Sequence, residues 1–214
     1  QAAQKREMSY QAHCDDLAPR FIQLWEKLGI RYDDFIRTTQ ERHIKTVQHI
    51  LQKVYEAGDI YQDEYEGWYS VAEERFITET EKDSGQFRDV KILKERNWFF
   101  KMSEYQDKLV DYIYEHPEFI QPEHRRNEIL GFLKQPLGDL CISRPKSRMD
   151  WGIELPFDKE YVTYVWFDAL INYITAPGYL DDPKKFKKWW PADVHLIGKD
   201  ILKFHSIYWS AILM

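Results

Sequence analysis

The junction Gly198-Lys199-Asp200 is the first place where this sequence combines backbone and side-chain features that suggest chemistry. The apolar stretch from Val194 to Gly198 is predicted to be a buried parallel strand, and a helix is predicted to begin at Asp200. Ligands of open α/β sheets bind outside the carboxyl ends of the strands, where helix N–H groups attract anions. Gly198 allows a ligand to approach the backbone, and Asp200 can accept hydrogen bonds from a ribose diol. The alternative is a plain turn glycine followed by a capping aspartate.

The helix predicted after this junction carries one polar group on an otherwise bulky face. Ile201, His205 and Trp209 are spaced i, i+4 and i+8, which places them on the same side of a helix. A histidine on such a face is either a core residue paired to a neighbour or part of a pocket wall. A wall of this composition suits a small, mostly apolar ligand with one weak acceptor.

A second junction of the same kind precedes it in the sequence. The stretch Val162 to Phe167 is predicted to be a short strand, and Trp166, Ala169 and Tyr173 follow at its end and along the next helix. A large aromatic residue with a small residue one turn later suits a shaped cavity, although core packing explains a lone tryptophan equally well. Two junctions with similar residues strengthen the prediction of a site.

Two charged residues lie earlier in the chain. Arg144 can bind a carboxylate or a phosphate, because its guanidinium is planar and permanently charged. Glu154 can accept a hydrogen bond from a ribose or an amine. A surface salt bridge is the alternative for each of them.

The elements that must position these residues fall into three regions. Helices are predicted from Leu17 to Leu28, capped by Asp15 or Asp16, and from Thr38, with Glu41 completing a capping box. Both helices have apolar faces typical of core packing. Ile60 to Ser70 is predicted to be strand with a turn near Glu66-Gly67, within a small α+β region. The last region alternates strand, helix, strand and helix, which predicts a parallel α/β sheet.

Composition excludes several classes of protein. The formal net charge of −6 and the pI of about 5.7 argue against a general polyanion binder. The lysines of residues 184–188 are interpreted as a solvated helix face. Cys14 and Cys141 are interpreted as free thiols of a cytoplasmic protein, with a structural disulfide between them as the alternative. No apolar run has the length of a membrane span, so no membrane association is expected.

Seven stretches together resemble the methionyl-tRNA synthetases, and they occur in the family's order and at its spacing. They are residues 35–39 (FIRTT), 64–69 (EYEGWY), 98–103 (WFFKMS), 142–144 (ISR), 151–156 (WGIELP), 164–169 (YVWFDA) and 190–201 (WPADVHLIGKDI) with 204–206 (FHS).

The resemblance implies an α/β fold: a Rossmann-type parallel sheet, present in part, interrupted by a small α+β connective-peptide insertion. Residues 1–58 would then end the first half of the class I catalytic domain. Residues 59–163 would form the insertion, and residues 164–214 would begin the second half.

The resemblance also implies the functional residues and the reaction. The product would be methionyl-tRNA, made from L-methionine, ATP with Mg²⁺, and tRNA(Met) by way of methionyl-adenylate. A donor from Tyr173 or His205 is expected to mark the position of the methionine sulfur. Arg144 would lie near the active centre as a catalytic residue. The methionine pocket would contain Trp166, Ala169, Tyr173, Ile201, His205 and Trp209, and the ATP site would contain Glu154, Gly198 and Asp200.

Departures from the family pattern set the remaining expectations. The HIGH-type and KMSKS-type segments, which supply phosphate stabilisation, are absent, and both ends of the chain resemble cuts. We therefore expect a central fragment that makes little or no adenylate alone. Ser70 and Glu73 stand where many relatives have a CxxC pair, so no zinc is expected. Two alternatives remain open: a class I synthetase for another aliphatic amino acid, and a noncatalytic binding module derived from a synthetase.

Overall fold

A computed structural model describes residues 2–70, 75–77, 79–83, 85, 87 and 89–214. Ten α-helices lie in this part of the chain, and a 3₁₀ turn (Lys199–Ile201) and a π-helical turn (Phe204–Trp209) precede the last of them. A further 3₁₀ turn, Met102–Tyr105, precedes the fifth helix. The helices are α1 (Ala2–Lys5), α2 (Tyr10–Lys27), α3 (Glu41–Glu56), α4 (Glu79–Asp83), α5 (Gln106–Glu115), α6 (Glu123–Phe132), α7 (Val165–Leu170), α8 (Asn172–Thr175), α9 (Pro183–Trp189) and α10 (Ser210–Leu213).

The described strands form two antiparallel sheets. One has the order β2-β1-β3-β4, and the other pairs β5 with β6. Strand β1 pairs with β3 along its whole length, so the predicted turn at Glu66-Gly67 is wrong. Continuous cross-strand pairing satisfies the backbone there without a turn. The strands are β1 (Ile60–Ser70), β2 (Arg75–Ile77), β3 (Val90–Phe100), β4 (Leu140–Cys141), β5 (Ser143–Pro145) and β6 (Tyr161–Thr163).

The mixed α/β class is confirmed, whereas the parallel sheet stays a prediction. The predicted strand over residues 162–167 is shorter than expected, because β6 ends at Thr163 and α7 begins at Val165. Residues 194–198 contain no strand, so the prediction of a buried parallel strand from Val194 to Gly198 is wrong. Val194 is 75% exposed and Leu196 is 96% exposed. A strand needs a hydrogen-bonding neighbour, and no described strand lies beside this segment.

Helix α3 follows its predicted apolar face but not its predicted start. Val47 and Leu51 are fully buried. The helix begins at Glu41, and Gln40 is its N-cap. The predicted capping box at Thr38 does not form, because the backbone first makes a turn in which the Gln40 N–H donates to the Arg37 carbonyl at 3.0 Å.

Helix α2 departs further from its prediction. It begins at Tyr10, where the Ser9 hydroxyl accepts from the Ala12 N–H at 3.2 Å. Asp15 and Asp16 bind arginines instead of capping the helix, at 2.6 Å to Arg37 for the former. The predicted apolar face is largely in solvent, since no residue of α2 is buried. Hydrophobic periodicity therefore predicted the helix correctly, but it did not predict whether the apolar face is buried.

One hydrophobic core runs through all three predicted regions. It contains Leu51 from residues 1–58, Ile113 and Leu155 from the predicted insertion, and Phe167 and Ile207 from the last region. The three regions are therefore packed together, although their boundaries stay a prediction. No described helix has both the length and the apolar character required to cross a bilayer.

Candidate functional site

The centre of the candidate site is a hydrogen-bonded chain between α8 and the π-helical turn. The Tyr173 hydroxyl lies 2.7 Å from His205 Nε2, and His205 Nδ1 lies 2.8 Å from the carbonyl oxygen of Ile201. A carbonyl only accepts, so Nδ1 carries the proton. Nε2 of the neutral ring is then an acceptor, and the tyrosine hydroxyl donates to it. The expected donor to a sulfur is therefore already used within the protein in this arrangement.

Aromatic rings surround the hydrogen bonds between Tyr173, His205 and Ile201. The Tyr173 ring lies 5.5 Å from His205, 5.8 Å from Trp209 and 4.4 Å from His195, measured between ring centroids. Trp190 lies 6.1 Å from Trp209 and 6.4 Å from His195. We call these five residues the aromatic cluster. Tyr173, His205 and Trp209, predicted from two separate helices, thus converge on one place.

Trp209 leaves one polar atom of the cluster unmatched. Its side chain is buried, with 3% of the residue exposed. Its indole N–H has no hydrogen-bond partner among the described residues. A buried donor without an acceptor costs about 1–3 kcal/mol. This atom is therefore a buried donor of the cluster that a ligand acceptor would satisfy.

Trp166 belongs to an adjacent pair of rings. It stacks on Phe204, with 3.6 Å between centroids and an interplanar angle of 9°. Phe204 directly precedes His205 in the π-helical turn. Such turns widen the helix locally and are frequent at functional sites. Trp166 is therefore connected to the cluster through the backbone of this turn.

Ala169 and Ile201 contribute through their backbones. The Ala169 carbonyl accepts from the Asn172 side-chain amide, which links α7 to α8. The Ile201 carbonyl fixes the orientation of His205, as described above. Both residues therefore help to hold the site whether or not their side chains touch a ligand.

Burial perturbs two ionisable groups of the aromatic cluster. Desolvation raises the pKa of the Tyr173 hydroxyl above its ordinary value. Desolvation lowers the pKa of His195, and charge repulsion from His205 lowers it further. Both shifts favour the neutral forms, so the cluster suits an uncharged ligand group.

Arg144 is buried beneath the start of α7. Its Nη1 donates to the Ser143 carbonyl at 2.7 Å, and its guanidinium lies 4.0 Å from the centroid of the Tyr164 ring. Tyr164 is the N-cap of α7. Arg144 thus supports the helix that carries Trp166 and Ala169, and its predicted place near the reacting atoms stays a prediction.

Glu154 is held by lysines. Its carboxylate lies 2.5 Å from Lys146 Nζ and 3.7 Å from Lys159 Nζ. The hydrogen bond from Lys146 is the largest cause of the lowered pKa of Glu154. Glu154 also bridges to Val162 through its backbone. The salt-bridge interpretation therefore describes this residue in the structure, and a ligand role stays a prediction.

Gly198 and Asp200 lie at the surface, at the start of the 3₁₀ turn. Asp200 lines an open cavity of about 320 Å³ between this turn and helix α6. The other lining residues are Glu128, Ile129, Phe132, Lys199, Leu202 and Lys203. Of the predicted nucleotide residues, Asp200 therefore faces a cavity that helix α6 of the predicted insertion helps to form.

Three residues of the site were not predicted as site residues: Trp190, His195 and Phe204. Trp190 and His195 complete the aromatic cluster, and Phe204 stacks on Trp166. Assigning residues 194–198 to a buried strand concealed the role of His195. A histidine within an apolar stretch, close to a tryptophan, was the available signal.

The predicted absence of zinc stays a prediction. Ser70 is buried in the structure, whereas Glu73 lies outside the described residues. Within the described part of the chain, no group of three or more histidine, cysteine, aspartate or glutamate residues is arranged to bind a metal.

Comparison with known proteins matches the whole chain to one family. The family model of the class I (M) tRNA synthetases matches residues 1–86 and 86–214. A methionine–tRNA ligase of Clostridium acetobutylicum is 51% identical over 99% of this chain and 34% of its own length. That of Caldanaerobacter subterraneus subsp. tengcongensis is 50% identical with the same coverage. The chain therefore spans about a third of the length of these relatives.

Solved structures agree with the sequence comparison. Mycobacterium tuberculosis methionyl-tRNA synthetase in complex with methionyl-adenylate matches with a TM-score of 0.90 and 41% identity. The match covers 99% of this chain and 43% of that one. The apo form of the same protein matches with a TM-score of 0.84 over 95% of this chain.

Proposed function

The chain belongs to the class I (M) family of tRNA synthetases, and on this basis we propose that it provides the methionine pocket of a methionine–tRNA ligase. The observation that carries the proposal is the aromatic cluster around the Tyr173–His205 hydrogen bond. A thioether is apolar, polarisable and weakly accepting, and it makes favourable contacts with ring edges.

The cluster has features that favour methionine over a branched aliphatic amino acid. Rings from Tyr173, Trp190 and Trp209 offer edges and faces to a sulfur, and the unmatched Trp209 N–H offers one weak donor contact. A purely aliphatic side chain would leave that donor unsatisfied. Apolar contacts alone separate substrates that differ by one methylene by only about 1–3 kcal/mol.

The proposed reaction has two steps. The carboxylate of methionine attacks the α-phosphorus of ATP, bound with Mg²⁺, and the bond to pyrophosphate breaks to give methionyl-adenylate. A hydroxyl of the terminal ribose of tRNA(Met) then attacks the carbonyl carbon, and AMP leaves. Gly198 and Asp200 would hold the nucleotide, with Glu154 as a further polar contact once a ligand competes with Lys146. Arg144 would favour the negative charge that develops near the reacting atoms.

The 214-residue chain is proposed to be insufficient for the first step. Its relatives have about three times its length, and the HIGH-type and KMSKS-type segments are absent from it. Donors and cations around the transferring phosphate supply most of the barrier lowering in such reactions. The chain by itself should therefore give little or no ATP–pyrophosphate exchange.

A chimera tests the proposal directly. The chain would replace the matching third of the Clostridium acetobutylicum methionine–tRNA ligase, and ATP–pyrophosphate exchange would be measured with methionine, leucine, isoleucine and valine. We expect exchange that depends on methionine and is at least about 100-fold weaker with the others. Exchange supported best by another amino acid would replace methionine in the proposal. A folded chimera without any exchange would favour a noncatalytic binding module.

A further inference from the structure

His43 makes the longest-range buried polar contact at the candidate site. It lies on α3 and is fully buried. Its Nε2 lies 2.7 Å from Oδ1 of Asp168, and its Nδ1 lies 3.3 Å from the hydroxyl of Thr175. A carboxylate only accepts, so Nε2 carries a proton and donates to Asp168. A hydrogen bond to a charged acceptor is among the stronger ones in proteins.

The two partners of His43 lie on the two short helices of the candidate pocket. Asp168 is on α7, between Trp166 and Ala169. Thr175 is the last residue of α8, two positions after Tyr173. One imidazole thus connects α3 to both helices: it donates to Asp168, and it shares the Thr175 hydroxyl with the Ile171 carbonyl, which lies 3.0 Å from that hydroxyl.

Short helices depend on such contacts for their position. Helix α7 has 6 residues and α8 has 4. Helices of this length are not stable alone, so contacts with the rest of the protein determine their direction. Helix α3 has 16 residues and carries the fully buried Val47 and Leu51. It is therefore fixed in the core and can hold α7 and α8 in position.

We propose that His43 is a positioning residue for methionine binding: it fixes the directions of Trp166 and Tyr173 through Asp168 and Thr175. The inference rests on the proposed function, because it assumes that these side chains contact methionine. His43 itself is fully enclosed by protein and acts only through the two helices.

The test uses steady-state ATP–pyrophosphate exchange by the chimera described above. His43→Leu should raise KM for methionine about 10-fold, since the variant leaves the half-buried Asp168 carboxylate without its donor. KM for ATP should stay within about twofold, because the nucleotide residues lie on another segment. His43→Gln should recover most of the methionine affinity, since the amide of glutamine can donate to Asp168.

Thr46→Val is the matched control. Thr46 is also buried on α3, but its hydroxyl donates to the Arg42 carbonyl at 2.8 Å within the same helix. This variant should lose some thermal stability and keep the methionine KM of the parent. A rise in methionine KM with Thr46→Val equal to that with His43→Leu would reduce His43 to an ordinary core residue and overturn the inference.

If His43→Leu does not fold, Asp168→Ala removes the same hydrogen bond at a half-buried position. It should give the same selective rise in methionine KM, and an unchanged KM would overturn the inference. If the parent chimera shows no methionine-dependent exchange, the proposed function fails first, and the inference fails with it.

Discussion

At the scale of single residues, the candidate site is defined by where each proton resides. The Ile201 carbonyl fixes the Nδ1 proton of His205, and the Tyr173 hydroxyl then donates to Nε2. The buried Trp209 N–H has no acceptor among the described residues. These assignments make the cluster neutral and weakly polar, which matches the chemistry of a thioether.

Removing the Tyr173 hydroxyl should weaken methionine binding selectively. Tyr173→Phe leaves the part-buried His205 Nε2 without its donor, and an unsatisfied acceptor away from water costs about 1–3 kcal/mol. We expect methionine KM of the chimera to rise by about 5- to 100-fold with little change in KM for ATP. Tyr161→Phe is the control, because the Tyr161 hydroxyl also donates once, to the Arg96 carbonyl at 3.1 Å, away from the cluster. Equal effects of the two substitutions would contradict the prediction.

Acidification should destabilise the chain through His195. Burial lowers the pKa of this residue below its ordinary value of 6.5. As the pH falls through this value, the unfolded chain binds a proton that the folded chain does not, so the free energy of unfolding decreases. The stabilisation is fully present above pH 6.5 and is lost as the pH falls towards the folded-state pKa.

The measurement is the thermal midpoint of the 214-residue chain between pH 5 and pH 7.5. His195→Gln removes the titrating group, so the decline of the midpoint at acidic pH should be shallower in this variant. Superimposable pH profiles for the variant and the parent chain would show that His195 does not contribute.

Residue types and spacing predicted part of the site. The helical spacing of Ile201, His205 and Trp209 placed them on one side, and the structure directs Tyr173 towards the last two. The same spacing carried no information about His43, because its partner Asp168 is 125 positions away. Contacts of that kind follow from tertiary packing, which a local sequence pattern does not describe.

At the scale of elements, glycines show where backbone geometry decides stability. Gly178 follows α8 with a φ of +96°, and a Cβ there would lie 3.1 Å from the Asp182 carbonyl oxygen. Gly131 lies within α6, where a Cβ would meet no atom within 4 Å. The first position requires glycine, and the second tolerates any good helix former.

The two glycine-to-alanine substitutions should therefore act in opposite directions. Gly178→Ala should lower the free energy of unfolding by about 1–2 kcal/mol through the left-handed backbone conformation. Gly131→Ala should raise it by up to about 1 kcal/mol. Urea denaturation of both variants measures the difference. Destabilisation by Gly131→Ala would contradict the prediction that position 131 of α6 accepts a side chain without a clash.

The elements were predictable where local and tertiary preferences agree. The apolar face of α3 is buried around Val47 and Leu51, as its periodicity indicates. Helix α2 has a similar pattern but an exposed face, because periodicity does not specify a partner. The prediction of a turn at Glu66-Gly67 was wrong for a related reason, because pairing of β1 with β3 outweighs the local turn preference of glycine.

At the scale of the whole molecule, residues 194–198, which were predicted to form a strand, contain the most exposed large apolar side chain in the described part of the protein. Leu196 is 96% exposed. In the 214-residue chain, Leu196→Ser should change the free energy of unfolding by less than about 0.5 kcal/mol. In the chimera, burial of this segment by the remaining two thirds of the relative should make the same substitution cost more than about 1 kcal/mol. Thermal unfolding of both pairs measures the difference, and equal costs would show that Leu196 stays exposed in the chimera.

The contact between His43 and Asp168 also has a consequence for how the protein is made on the ribosome. Its two residues are separated by 125 positions, which at ordinary translation rates corresponds to about 6–25 s of synthesis. During that interval the nascent α3 lacks the carboxylate that will accept the hydrogen bond from its imidazole. The intervening hairpin of β1 and β3 is complete much earlier in the chain. The order of emergence therefore means that α7 and α8 can dock on α3 only after strands β1 and β3 have been synthesised.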